Sequence, residues 1–432
     1  MRNFLMIFAA CSVMSVHAAE LPLTVGQLFE RVEAQSRALS SARAAVDVAR
    51  QGVEVARSAW LPDVGANLSI SYLGNTLITS REFDEAQWAH TPHLGNSLSL
   101  EAQQVVYSGG AIPASIRLAE LQQRQAETGV DLTRQQQRFL ALGQYLDLFR
   151  LNNRMRVYEQ NIALTQTLID NIREKHAQGM VLRNDITRYE LQMEQLQLGL
   201  TALRNQHSIA NHQLCNTLGL ADGDVIIPDT TLVKQTLARD IEAQWQQQAT
   251  ASSPVLRQSA LGIAMTEQQE RLARSETRPK IALFAADNFN GPITFEIPPL
   301  NKNINVWYLG VGVKYNIGAL YKSNRKVKQA QLARLKSIED SEVAAQGVNN
   351  AIQAAHTAYE QSYVELATQQ KSVELARQNY EVVNERYLNQ LALITDMVDA
   401  SNLLLNAQLQ EVDARISIIM AYYKLHYLAG TL

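Results

Sequence analysis

Residues 345–387 read AQGVNNAIQAAHTAYEQSYVELATQQKSVELARQNYEVVNERY. Apolar or small side chains recur along this stretch in steps of three and four, at Ala345, Val348, Ile352, Ala355, Tyr359, Ser362, Leu366, Val373, Ala376, Tyr380, Val383 and Tyr387. That spacing is a heptad repeat held for roughly six turns of the pattern, the mark of a coiled-coil helix. No proline interrupts the chain from Leu300 to Leu432, nor from Ala114 to Ile227. Both runs far exceed an ordinary helix of three or four turns, and each carries a turn-like cluster near its middle, which predicts two long helical hairpins. The helix from Gly318 to the turn near Gln390 would hold about 70 residues and extend on the order of 100 Å. A compact enzyme domain has no use for such a rod.

Before the hairpins, the chain starts MRNFLMIFAACSVMSVHAAE. Basic Arg2, an apolar stretch from Phe4 to Val16 and small Ala18 and Ala19 read as a secretory signal peptide over residues 1–19. The alternative is lipidation at Cys11, since Phe8-Ala9-Ala10-Cys11 loosely imitates a lipoprotein box. After such a leader the single cysteine is Cys215, which leaves no internal disulfide and puts stability on packing or assembly. A formal net charge of −3 argues against a nucleic-acid partner. No later segment approaches the roughly 18 apolar residues of a spanning helix. If this exported chain crosses a membrane, it must do so with strands.

The same order of features occurs twice. Val55-Ala56-Arg57-Ser58 followed by Pro62 returns as Leu272-Ala273-Arg274-Ser275 followed by Pro279, with the proline at the same offset. A repeat of about half the chain with shared punctuation means a duplicated unit. The first copy spans 20–214 with a strand pair in 63–107, a linker covers 215–253, and the second copy spans 254–432 with a strand pair in 280–317. After Pro62, Val64, Ala66, Leu68, Ile70 and Tyr72 alternate with small polar residues, and Ser97 to Tyr107 alternates likewise. In the second copy Lys280 to Ala286 is the weaker strand, because Ile281, Leu283 and Phe284 do not alternate cleanly. Its partner Val306 to Ile317 is strong, with Trp307, Leu309, Val311, Val313 and Tyr315 on one face. These strands of about ten residues are long enough to cross a tilted bilayer path, and four of them cannot close a barrel whose smallest form has about eight. Closure requires several chains. A small soluble sheet capping a helical bundle is the plainer alternative. A helix around Trp245 prepares the second copy as Thr24 to Leu39 prepares the first.

These features resemble the TolC family of outer-membrane efflux proteins over nearly the whole chain. Gly179-Met180-Val181-Leu182-Arg183-Asn184-Asp185-Ile186 is similar to that family's Gly-x-Val-x-x-x-Asp-Val at the first turn. Arg386-Tyr387 and Asp396-Met397-Val398-Asp399-Ala400 are similar to its Arg-Tyr and Asp-Val-Leu-Asp-Ala at the second, and Leu428-Ala429-Gly430-Thr431-Leu432 to its closing segment. The chain departs at Gln390, where the family usually has glycine, at Leu393, where it has a hydroxyl residue, and at Ala392, where some members are basic. The resemblance implies a mainly α fold with a small β part. It further implies a homotrimer whose twelve strands form one outer-membrane β-barrel, continued into the periplasm by an α-barrel tunnel. It also implies a periplasmic adaptor (membrane fusion) protein and an inner-membrane pump as partners, outer-membrane lipid around the barrel, and export of drugs, metal ions or proteins. The rival reading is an envelope-anchored coiled-coil adhesive protein without a pore.

Residues with catalytic or metal chemistry are not clustered, and neither a cofactor nor an enzymatic activity is expected. His207 and His212 do not share a helix face, His90-Thr91-Pro92-His93 lies in a polar loop without a carboxylate pair, and no phosphate loop or nucleophile elbow occurs. The turns are more informative. Gly179 permits a conformation other residues resist, leaving Val181 and Leu182 exposed at one tip as Leu391 and Leu393 are at the other, a surface suited to docking an adaptor. Packing between the two tips is the alternative. Asp396 and Asp399, three apart on one helix face, would form carboxylate rings at the narrow end of a trimer, with Asp185 and Tyr387 as further gate candidates. Alternatively Asp396 is a helix N-cap and Asp399 a first-turn acid, as Asn184 or Asp185 caps the other returning helix.

Overall fold

The computed structural model describes residues 20–432 apart from 222, 230, 233–236, 390 and the side chain of Leu320. The leader with its Cys11 alternative, and Gln390 of the second turn, lie outside the described residues.

The two proline-free runs are helical hairpins. In the first copy α3 (Ala111–Ala177, 67 residues) is followed by α4 (Arg183–Leu218, 36 residues), and in the second α7 (Ala319–Leu388, 70 residues) by α8 (Ile394–Ala429, 36 residues). Each hairpin is preceded by a 22-residue helix, α2 (Arg37–Ser58) or α6 (Pro254–Ser275), and an 11-residue helix, α1 (Val25–Gln35) or α5 (Glu242–Ser252). Both 22-residue helices stop at the repeated serine, and extended chain begins directly after Pro62 and Pro279, because proline disfavours helix at the residue before it. Among the described residues no helix is long and apolar enough to cross a membrane.

The chain divides into two compact units. One gathers the segment up to Ala42, Val130–Val255 and Ala345–Leu432; the other gathers Arg43–Gly129 and Leu256–Ala344. The second unit holds an antiparallel sheet of β2 (Asp63–Tyr72), β5 (Leu94–Tyr107), β7 (Lys280–Gly291) and β8 (Ile304–Lys314), in the order β2-β5-β7-β8. The central β5–β7 pairing, from Asn96↔Gly291 to Tyr107↔Ile281, joins the two copies of the repeat. A short hairpin, β3 (Thr76–Ile78) with β4 (Gln87–Ala89), fills the polar connection between β2 and β5.

The expected weak strand is a correction. Residues from Lys280 continue to Gly291 and occupy a central position, paired on both edges. Its broken alternation has a local cause: the Phe284 ring lies over the backbone of Gly310, where a Cβ would sit 2.6 Å from the ring. The two glycines at 310 and 312 make room for an aromatic that a strict in-and-out reading counts as misplaced. The neighbouring strand runs from Ile304 to Lys314 rather than on to Ile317. The apolar positions Val64, Leu68, Ile70, Tyr72, Trp307, Leu309, Val311 and Val313 are all exposed in the single chain.

The helical unit carries the heptad seam. Ile352, Ala355, Tyr359, Ser362, Val373, Ala376, Tyr380 and Tyr387 are buried, while Ala345, Val348, Leu366 and Val383 are half-buried. In one cluster Trp245 and Ala249 of α5 pack with Ile352, Ala355 and Tyr359 of α7 and with Ile418, Leu425 and Ala429 of α8. The unit also contains a parallel pair absent from the sequence reading, β1 (Glu20–Leu23) against β6 (Val225–Pro228). Tyr145 fastens it, donating its hydroxyl to Leu23 O at 2.6 Å and accepting from Asp229 N at 2.7 Å.

Candidate functional site at the two hairpin turns

Both hairpins reverse in the helical unit, and the two ends share one apolar core. Leu168, Ile169 and Ile172 of α3 meet Tyr189 and Met193 of α4, Val373, Ala376, Tyr380 and Tyr387 of α7, and Ile394, Met397, Ala400, Leu404 and Ala407 of α8. Polar ties cross the same core. Lys175 Nζ donates to Leu388 O at 2.7 Å, and Gln192 Nε2 donates to Asn402 Oδ1 at 2.8 Å.

The first turn closes as a glycine-terminated helix end. Gly179 has φ 75°, with Gly179 N donating to His176 O at 2.9 Å and Met180 N to Lys175 O at 3.0 Å. These two bonds satisfy carbonyls that the last turn would leave open. An added Cβ at 179 would meet nothing within 4 Å, so the glycine serves its backbone angle and not a tight fit. In the second turn Leu391 N makes the same six-residue closure to Arg386 O at 2.7 Å, and Arg386 Nη2 also reaches Leu391 O.

Of the tip residues, Leu182 is 73% exposed, Leu391 68% and Leu393 69%, which leaves three leucines uncovered at one end of the fold. Val181 is a correction: it is half-buried and packs on the shared core, as Ala392 does from the other turn. Intrachain packing therefore accounts for part of the tips and leaves the leucines over. Met180 is exposed beside them and went unremarked in the sequence, because a lone methionine in a turn carries no pattern.

The acidic residues also differ from the capping reading. Leu393, not Asp396, is the N-cap of α8, and Asp396 stands three residues inside, its Oδ2 accepting Leu393 N at 3.0 Å. This is the returning half of a capping box, with a leucine where the hydroxyl half would be. Leu182 likewise holds the N-cap position of α4 without a side-chain bond, so neither Asn184 nor Asp185 caps it. Asp396 and Asp399 are both exposed, between the buried Ile394, Met397 and Ala400. Asp185 is half-buried and close enough to Tyr387 to act on it electrostatically.

Tyr387 itself is buried among Tyr380 and Tyr189. Burial pushes its hydroxyl pKa up to about 12, with the charge of Asp185 adding to the shift, and burial alone does the same to Tyr380. Tyr189 is raised further, by burial and then by its two tyrosine neighbours. The hydroxyls of Tyr189 and Tyr387 have no hydrogen-bond partner among the described residues. Sequence reading missed Tyr189 because the seam was traced only on the outgoing helix of the second copy. In the strand unit, the loop histidine His93 faces Leu73 O through Nδ1 at 2.8 Å and stacks on Tyr72. Among the described residues no group of three potential metal ligands occurs.

The model of the family described as outer membrane efflux protein matches residues 28–220 and 245–431. The chain belongs to this family. The unmatched stretch 221–244 carries β6 and lies inside the 215–253 segment expected to link the two copies. The chain is 21% identical over 395 residues to the outer membrane efflux protein BepC of Brucella suis biovar 1 (strain 1330), covering 90% of this chain and 81% of that one. Its fold is similar to the outer membrane protein VceC of Vibrio cholerae, with a TM-score of 0.76 at 15% identity over 94% of this chain and 96% of VceC. It is also similar to the Campylobacter jejuni CmeC outer membrane channel, with a TM-score of 0.75 at 14% identity over 100% and 94%. The efflux protein described here is an outer-membrane channel component of an export system, and the adhesive coiled-coil alternative falls. Family and fold are those of channels, not of enzymes.

Proposed function

We propose that this efflux protein acts as a homotrimer, a passive exit duct for substrates that an inner-membrane pump delivers through a periplasmic adaptor. The observation that carries the reading is the sheet with two open edges. β2 and β8 each have one neighbour, their apolar faces are exposed, and four strands are half the number of the smallest spanning barrel. Pairing β8 of one copy with β2 of the next removes every open edge. Light scattering or native mass spectrometry of the detergent-extracted protein is expected to give a trimer, and a stable monomer would sink the reading. Energy comes from the pump, and the duct itself needs no catalytic group.

The exposed leucines of the two turns are the adaptor-docking surface in this reading, and Asp396 with Asp399 forms the gate, flanked by Asp185 and Tyr387. In a trimer each aspartate becomes a ring of three carboxylates, which favours cations. With Asp396→Asn and Asp399→Asn together, cation preference in planar bilayers should weaken, as should block by multivalent cations added on the periplasmic side. Asparagine keeps an oxygen acceptor for Leu393 N, and the lost charge near a helix N-terminus is worth only about 0.3–1 kcal/mol. Unchanged selectivity and block in a correctly assembled trimer would leave these aspartates with the helix-start role alone.

A further inference from the structure

At one end of the sheet the surface changes character in a fixed order. On one face of β8 exposed Trp307, Leu309, Val311 and Val313 follow one another; further along come exposed Tyr315, Ile317 and Tyr321, then exposed Lys322, Arg325 and Lys328. That is the succession of hydrocarbon, interface and headgroup layers at a bilayer surface. From Ile297 to Ile338 the chain has eight basic residues and no acidic one. Six of the eight fall within the opening turns of α7, and its first turn has no acid. Cations there oppose the helix dipole and one another. Lys326, Arg334 and Lys336 pair with Glu276, Glu270 and Asp340, whereas Lys322, Arg325 and Lys328 have no acidic partner among the described residues.

A second feature lies at the same sheet end, where Tyr107 closes β5 and Lys280 opens β7. Between the first turns of α3 and the last turns of α6 is a cleft of about 590 Å³ whose lining includes Arg117, Arg271, Arg274 and Arg278 and no carboxylate. Glu120, Glu267 and Glu270 hold the first three arginines from outside the lining at 3.2, 2.8 and 2.6 Å, and Arg278 reaches Gly109 O at 3.3 Å. Each guanidinium is thus fixed by one or two of its five N–H donors, with others left for the cleft. Planar forks of this kind suit a phosphate group.

We propose that the strand roots bind anionic phospholipid headgroups of the leaflet on the helix side, the phosphodiester seated in the arginine cleft and neighbouring phosphates meeting Lys322, Arg325 and Lys328. This rests on the sheet spanning the outer membrane, and not on what the channel exports. The test reconstitutes the full trimer into vesicles of phosphatidylethanolamine with a minority of phosphatidylglycerol, checks insertion by flotation, and measures the lipid retained in nanodiscs. Phosphatidylglycerol should be enriched around the wild type about threefold over the bulk, and less so at high salt. In Arg117→Gln/Arg271→Gln/Arg278→Gln and in Lys322→Gln/Arg325→Gln/Lys328→Gln, enrichment should fall toward the bulk composition while insertion is kept. Inserted wild type without enrichment, or variants that keep it in full, would overturn the headgroup site. Variants that alter the anion preference of single channels but not the retained lipid would overturn it too, placing these cations on the conduit. Failure of the wild type to float would instead strike at the membrane placement of the sheet.

Discussion

With aspartate at Leu182, Leu391 and Leu393 together, export is expected to fail while trimers still reach the outer membrane. The three leucines are the most exposed of the apolar groups that the tip leaves over after packing its own core, with Met180 beside them. A carboxylate carried into an apolar contact without a partner costs several kcal/mol, and each 1.4 kcal/mol is tenfold in affinity, so adaptor binding should weaken more than about a hundredfold. Val181→Asp provides the contrast. Val181 packs inside the tip, so its replacement should lower the yield of folded trimer as well as export. Accumulation of an exported dye, read beside the trimer content of the outer-membrane fraction, separates the two effects. Normal export by the triple variant would take the turns out of the docking role.

Trp245→Ala should cost about 3–5 kcal/mol of stability, among the largest single losses available in the helical unit. The indole is 1% exposed and packs edge-on to Tyr422 at 6.3 Å and to His426 at 4.9 Å, with Tyr359, Ile352 and Leu425 in the same cluster. Trp245→Phe should cost much less, because Nε1 is a buried donor without a partner among the described residues and its removal relieves that penalty. A second readout follows from His426, whose pKa is held below the usual histidine value by burial. Below about pH 6.5 the unfolded chain binds a proton that the folded chain refuses, so stability is present above that pH and declines beneath it. Opening the cluster by Trp245→Ala admits water to the imidazole and should flatten that decline. Thermal unfolding followed by circular dichroism between pH 5 and 8 measures both. A Trp245→Ala protein as stable as the wild type would show that α5 is not held by this cluster.

The hairpins were legible because coiled-coil packing repeats. A seam of a dozen positions from Ala345 to Tyr387 states its own period, and the structure buries or half-buries every one. Proline did similar work at 62 and 279, where helix must give way to strand. The β1–β6 pair was not legible, since four residues such as Glu20–Leu23 have no period and their pairing is fixed by distant Tyr145 and the Val225–Pro228 segment. Phe284 misled for a related reason: its placement depends on glycines in the next strand. At the site, the exposure of Leu182, Leu391 and Leu393 could be foreseen from their place in turns. The burial of Val181 could not, because it comes from the neighbouring hairpin; leucine holds both cap positions, so Asp396 acts from three residues inside α8 and Asp185 caps nothing. The arginine cleft needs α3 and α6 side by side, a proximity that no local pattern carries.

The pairing of β5 with β7 sets a timetable for biogenesis. Ser97 and Asn290, bonded across the two strands, lie 193 residues apart in the chain. At synthesis rates of roughly 5–20 residues per second, the second strand follows the first by about 10–40 s. Through that interval the fourteen residues of β5 have only β2 to pair with inside the chain, which leaves one sheet edge open to any passing strand. Local helices can form early, whereas pairing at such sequence separation is slow. Escort proteins therefore have a defined client, the first half of the chain after Tyr107 has emerged and before Lys280 has. A shortage of such escorts should show as aggregates whose protected core is the Asp63–Tyr107 region and not the long helices.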